Sequence, residues 1–133
     1  LVSGTSLGRA ARDLAAQDPG GGVGRLAGGG PARGGHLAAA AAAGDPAACA
    51  VLETAGRWLG RGLANLVAAL DPDVIVIGGA AADAGGLLLG PARLVLAEVV
   101  EGAGHREATP VVSARFGSRA GLMGAALAAG GVR

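Results

Sequence analysis

Asp71-Pro72-Asp73-Val74-Ile75-Val76-Ile77-Gly78-Gly79-Ala80 is the stretch on which the fold turns. Four consecutive β-branched residues without polar alternation predict a strand buried on both faces, as in a parallel sheet. Asp71-Pro72-Asp73 ends the element before it, and Gly78-Gly79 closes the strand at its carboxyl end. Ligands of open α/β sheets bind beyond the carboxyl ends of strands. Glycines there let a flat ligand lie against the backbone, because no Cβ intervenes. A tight strand-to-helix turn that needs only flexibility explains the same two glycines. Spacing alone leaves both readings open.

Upstream, Gly44-Asp45-Pro46 punctuates the chain with a cause at each position. Gly44 suits a left-handed helix end, Asp45 an N-cap and Pro46 the first helical position. A helix is predicted from Pro46 to Leu70, with Leu52, Ala55, Leu59, Leu63, Leu66 and Leu70 forming one buried stripe. Gly56, Gly60 and Gly62 inside it each cost about 1 kcal/mol relative to alanine. Close approach of a neighbouring helix or sheet is the expected compensation. Gly56-x-x-x-Gly60 signals helix pairing in lipid only within an apolar span, and Arg57 and Arg61 argue against one.

At the amino end, the hydroxyl residues of Ser3-Gly4-Thr5-Ser6 are available as caps for a helix whose Leu7, Ala10, Ala11, Leu14 and Ala15 share a face as far as Gln17. Residues 19–35 are dominated by glycine and read as a flexible surface loop. Glycines without a preceding strand are weak evidence for phosphate binding. A short alanine-rich helix follows from Leu37 to Ala43. Downstream, a helix is predicted over 86–100, with a break at Gly90-Pro91 left open. A second strand is expected over 110–115, centred on Val111-Val112, and a last helix over 118–129. Two strands cannot close a sheet, so partner strands are expected.

The chain has 133 residues, enough for one domain of ordinary size. Trp58 and Phe116 are its only aromatic residues, so the core must be built from Ala, Leu, Val and Ile. At roughly 25 cal/mol per Å² of buried apolar surface such a core is thin. With 27 glycines to order, marginal stability in isolation is expected. The net charge is +1 and the arginines are scattered, which gives no footprint for nucleic acid. The longest apolar stretch, near Ala120 to Val132, is shorter than the ~20 residues of a membrane span. No signal-peptide pattern is present, and a soluble cytoplasmic protein is expected. The sequence starts at Leu1 rather than Met, and a partial sequence is favoured over a trimmed mature chain.

Isolated candidates for chemistry are weak. Cys49 excludes an internal disulfide and reads as a small residue facing the core. A structural zinc site wants about four Cys or His ligands, whereas here one Cys stands with His36 and His105, far apart in sequence. No metal site is assigned. Both histidines sit in glycine-flanked, loop-like positions and read as solvated. Ser3, Ser6, Ser113 and Ser118 fit no nucleophile elbow. Asp71, Asp73 and Asp83 are placed near the same sheet end, the first two as turn residues. Asp83 is a lesser candidate for a ribose hydroxyl.

Five segments in order resemble the ROK family (repressors, open reading frames and kinases). Ser3-Gly4-Thr5-Ser6-Leu7-Gly8-Arg9-Ala10 resembles its SGTALxRxA segment, and Ala42-Ala43-Gly44-Asp45-Pro46-Ala47-Ala48 its AxxGDxxA segment. Leu59-Gly60-Arg61-Gly62-Leu63-Ala64-Asn65-Leu66 is similar to LGxGLANL. Asp71 to Gly79 resembles DPxxVVxGG, and Ala120-Gly121-Leu122-Met123-Gly124-Ala125-Ala126 resembles AGLxGAA. The set covers nearly the whole chain, and its specificity lies in the order of the pieces.

The resemblance implies the C-terminal half, a single lobe over residues 1–133, of an actin-like, ribonuclease-H-like ATPase or sugar kinase fold. The class is α/β, helix-rich with a short parallel sheet. It implies a sugar kinase, glucokinase-like, that transfers phosphate from ATP with Mg²⁺ to a hexose, glucose foremost. The glycine turn after the strand forms part of the family's adenosine site, a role carried over to Gly78 and Gly79. Ala80 stands where the family usually has a third glycine. The family's phosphate motif, base aspartate and sugar-binding Glu/His motif are absent from these residues, and its zinc-binding cysteines would precede Leu1. No catalytic residue is therefore assigned. The missing N-terminal half is one expected partner, and homo-oligomers are common in the family. A sugar-responsive repressor of the same family, or a truncated product without catalysis, is the alternative. Neither nucleic acid nor membrane is an expected partner of this chain. A coupled assay of ADP release should show no sugar-dependent turnover by the chain alone, and turnover above background would overturn the half-kinase reading.

Overall fold

The computed structural model describes residues 3–100 and 108–130. The longest element is helix α4, Pro46–Leu70, which matches the sequence reading at both ends because both ends are capped. Asp45 accepts a hydrogen bond from the Ala48 N–H at 2.9 Å, and Asp71 takes a left-handed conformation (φ 43°, ψ 56°) to end the helix. Before it come α1 (Gly4–Gln17), α2 (Gly22–Ala27) and α3 (Gly34–Ala42). At the head of α1, the Ser6 N–H donates to Ser3 Oγ at 3.1 Å and the Ser3 N–H to Ser6 Oγ at 2.8 Å. This is a reciprocal cap with serine in the place usually held by Glu or Gln.

Strand β1 (Ile75–Ile77) follows α4, then the four-residue α5 (Ala80–Asp83), α6 (Gly86–Val99) and strand β2 (Val111–Ser113). A 3-10 turn, Gly117–Arg119, leads into α7 (Ala120–Gly130). The strands pair in parallel, with Ile75 opposite Val111 and Ile77 opposite Ser113. Among the described residues, no helix is long and apolar enough to cross a membrane.

Helices α4 and α6 lie against each other along the glycines of α4. A Cβ built on Gly60 would lie 2.5 Å from the Ala92 carbonyl oxygen and 2.9 Å from Val95 Cβ. A Cβ on Gly56 would strike the Leu88 carbonyl oxygen and lie 3.0 Å from Pro91 Cβ. The absent side chains thus make room for the α6 backbone and the Pro91 ring. This accounts for α6 running unbroken through Gly90-Pro91: its packing offsets the hydrogen bond that proline cannot donate. Gly62 differs, since nothing lies within 4 Å of its Cβ position.

Two apolar clusters line α4. The first joins Leu7, Val23, Leu37, Leu52 and Leu88 with six alanines, and the second joins Leu63, Ala64, Val67, Leu89, Leu96 and Val111. Ile75 and Ile77 pack on the second cluster, but Val74 and Val76 are 49% and 58% exposed. The expectation of a strand covered on both faces is therefore corrected. The run of β-branched residues is apolar on both sides, yet only the Ile75 and Ile77 side is covered here. Val112 continues the open side onto β2, and Leu122 and Leu127 of α7 are also exposed.

The segment 19–35, read as a flexible surface loop, contains α2 and buries Val23 and Ala32. What holds it is distant in sequence. The second oxygen of Asp45 accepts from the Gly22 N–H at 2.9 Å, so one carboxylate caps both α4 and α2. Gly28 (φ 58°, ψ 34°) ends α2 in the left-handed region.

These contacts generate two predictions. Gly60→Val should destabilise the chain by roughly 1–3 kcal/mol through overpacking against α6. Gly62→Ala should stabilise it by about 0.5–1 kcal/mol, because the site is open and helical. Chemical denaturation of the two variants checks both signs. The second prediction concerns pH. The Ala48 and Gly22 hydrogen bonds hold the Asp45 carboxyl below the ordinary aspartate range. Its stabilisation is therefore fully present above that range and lost as pH falls through the lower folded value. Asp45→Asn keeps one acceptor oxygen and no charge. The gap in melting temperature between wild type and D45N should be widest near neutral pH and close in acid, whereas a pH-independent gap would exclude a role for the charge.

Candidate functional site

Parallel pairing puts the carboxyl ends of β1 and β2 side by side, and each strand runs into a turn with glycine. The Ala114 N–H donates to the Ile77 carbonyl at 2.8 Å, which locks the start of the second turn to the end of the first strand. Gly78 is exposed, and a Cβ there would meet Ala114 Cβ at an ordinary 3.8 Å. Gly79 has φ 69° and ψ −161°, a region open essentially to glycine alone. Nothing lies within 4 Å of where its Cβ would be. Its conformation is therefore demanded by the turn, and its side-chain face looks onto open space. Ala80 begins the helical turn of α5, a conformation that alanine takes without strain. The third position of the turn thus has no need of glycine for its backbone.

The second turn was not singled out by sequence. Gly117 has φ 49°, and Asp83 Oδ1 lies 2.7 Å from its Cβ position. The carboxylate at the end of α5 therefore rests against the glycine that starts the 3-10 turn. Beside it, the Arg115 guanidinium carbon lies 6.0 Å from the Phe116 ring centroid, a cation–π contact. The signal for this turn was the repetition of a short apolar strand followed by glycine.

The aspartates separate. Asp83 follows β1 at its carboxyl end, whereas Asp71 and Asp73 precede the strand at its amino end. The expectation that all three share one sheet end is corrected by the direction of the chain. His36 is not in a loop. It is half-buried in the first turn of α3, where Nδ1 accepts from the Arg33 N–H at 3.3 Å. His105 lies outside the described residues. Cys49 is half-buried against the first cluster and its thiol donates to the Ala41 carbonyl at 3.4 Å, in keeping with a core-facing role. Among the described residues, no three His, Cys, Asp or Glu gather in a group that could hold a metal ion.

The sequence profile of the ROK family matches residues 1–131. The chain belongs to the ROK family. It is 37% identical over 91 residues to the glucokinases of Streptomyces coelicolor and Streptomyces lividans, a match covering 68% of this chain and 29% of each relative. A glucokinase of Halalkalibacterium halodurans is 39% identical over 90 residues, covering 64% and 26% of the two chains.

Among solved structures, the chain is similar to a ROK family glucokinase from Streptomyces griseus in complex with glucose and AMPPNP. The TM-score is 0.78 at 35% identity, over 96% of this chain and 42% of that one. A ROK hexokinase from Thermus thermophilus gives a TM-score of 0.57 at 34% identity, over 96% and 38%. The chain thus spans less than a third of the glucokinases it matches in sequence, and under half of the two solved structures. This likeness establishes the fold as part of the actin-like α/β architecture, helix-rich with a short parallel sheet.

Proposed function

We propose that this chain supplies the adenosine wall of an ATP-dependent sugar kinase of the glucokinase type, with glucose as the hexose. The observation that carries the reading is Gly79. It holds a glycine-only conformation beyond the carboxyl end of a parallel strand, and it faces open space. A Cβ would intrude on that space, so the turn fits a planar nucleoside laid against bare backbone. The Streptomyces griseus relative, similar over 96% of this chain, was solved with glucose and AMPPNP. That supports a nucleotide and a hexose as ligands of the whole protein.

In this reading Gly78 and Gly79 would bring backbone within van der Waals reach of the nucleoside, and the start of α5 at Ala80 would continue the wall. ATP, when bound, supplies the phosphoryl group. In the same reading, Mg²⁺, the phosphates and the sugar are left to the portion of the relatives that this chain does not span. The chain's contribution is positional, since it holds one end of the nucleotide at the carboxyl end of the sheet. Homo-oligomers and cytoplasmic residence belong to the same proposal.

Titration with AMPPNP tests it in a protein reconstituted to the full length of its relatives. Gly79→Val should weaken binding by about tenfold or more, with the helical circular dichroism retained. Gly62→Ala, remote from the turn, should leave affinity unchanged. Equal AMPPNP affinity in folded G79V and wild type would return Gly78-Gly79 to a plain turn.

A further inference from the structure

The outer edge of β2 is closed by a side chain. The Ile75 N–H donates to the Pro110 carbonyl at 2.8 Å and the Ala114 N–H to the Ile77 carbonyl at 2.8 Å. Backbone groups alternate in direction along a strand. Pro110, Val112 and Ala114 therefore face β1, while Val111 and Ser113 face away from it. The outward Val111 carbonyl accepts two hydrogen bonds from Arg93 of α6, from Nε at 2.9 Å and from Nη2 at 2.6 Å. A planar guanidinium thus sits where the backbone of an added strand would have to lie.

The surroundings make that closure consequential. Beside the same edge runs an apolar groove of about 650 Å³, walled by Leu94, Leu96, Ala97 and Pro110 together with Arg93. Leu94 is 67% exposed. A strand laid along β2 would gain backbone hydrogen bonds at Val111 and Ser113 and apolar cover in the groove. The chain's own β2 is such a strand, because two outward edges can pair antiparallel about a two-fold axis.

We propose that Arg93 is an edge cap that keeps β2 from pairing with the β2 of a second copy. Pairing would remove both bonds to the Val111 carbonyl, and the two-fold would bring two guanidinium groups together. Both effects disfavour the dimer. The inference stands apart from the kinase reading, since Arg93 lies on α6 and not in either glycine turn.

Sedimentation velocity on the full chain tests it. Arg93→Met keeps the apolar stem and removes the donors. Its weight-average mass should about double relative to wild type at equal concentration. Ser113→Pro supplies the second-site check. The Ser113 N–H faces outward, so proline costs no bond to β1 and blocks the new ladder. R93M/S113P should return to the wild-type mass. Arg93→Lys, which keeps the charge but loses the fork, should fall between. If R93M loses its helical circular dichroism, R93K and R93K/S113P give the same comparison. A folded R93M that sediments as wild type overturns the proposal. So does association that S113P leaves in place, because it would then run through another surface.

Discussion

The contact on which the rest depends is the seam between α4 and α6, where two glycines admit another helix's carbonyl groups. Gly56 and Gly60 bring the α6 backbone so near that any side chain at either position would collide with it. That closeness fixes where α6 lies, and α6 in turn carries the residues that reach β2. Leu89, Leu96 and Val111 share one cluster with Leu63 and Val67 of α4, so sheet and helices are positioned by a single apolar unit. The helix penalty of the two glycines is the cost of that geometry, and the dispersion contacts along the seam offset it. Proline inside α6 belongs to the same arrangement, since its ring fills the space beside Gly56.

How far the sequence could be read depended on whether the cause of each element was local. Helix α4 was legible to the residue because Asp45, Pro46 and Asp71 act on their own neighbours. The parallel sense of the strands was legible from the unbroken β-branched run. Helix α2 was not, because six residues rich in glycine have no propensity to recommend them. Its support is an aspartate 23 residues further along, with burial of Val23. The two-sided burial expected of β1 failed for a related reason: apolar residues record what a strand can tolerate on each face, not which neighbours are present to cover it.

At the candidate site the first glycine turn was legible from its place after the strand, and the order of five motifs pointed to the family that the match over residues 1–131 bears out. What the sequence could not supply was the division of labour among the three residues. Only Gly79 takes a conformation closed to other residues, while Gly78 and Ala80 do not require glycine on backbone grounds. Nor could it show that the turn after β2 comes alongside, with Asp83 packed against Gly117. That neighbourhood arises from parallel pairing, a long-range fact. Chain position misled at Asp71 and Asp73, because nearness in sequence to a strand says nothing about which end of it a ligand approaches.

The alanine-rich interior has a thermodynamic consequence of its own. Among the described residues, nine of the twenty buried apolar side chains are alanine, and Leu37, Leu52, Leu88 and Leu89 are the largest that are fully enclosed. Unfolding such an interior wets little hydrocarbon per residue, and the heat-capacity increment of unfolding scales with the hydrocarbon wetted. A small increment flattens the curve of free energy against temperature. The folded state then loses little stability on cooling, because the hydrophobic share of its stability, the part that fades in the cold, is small.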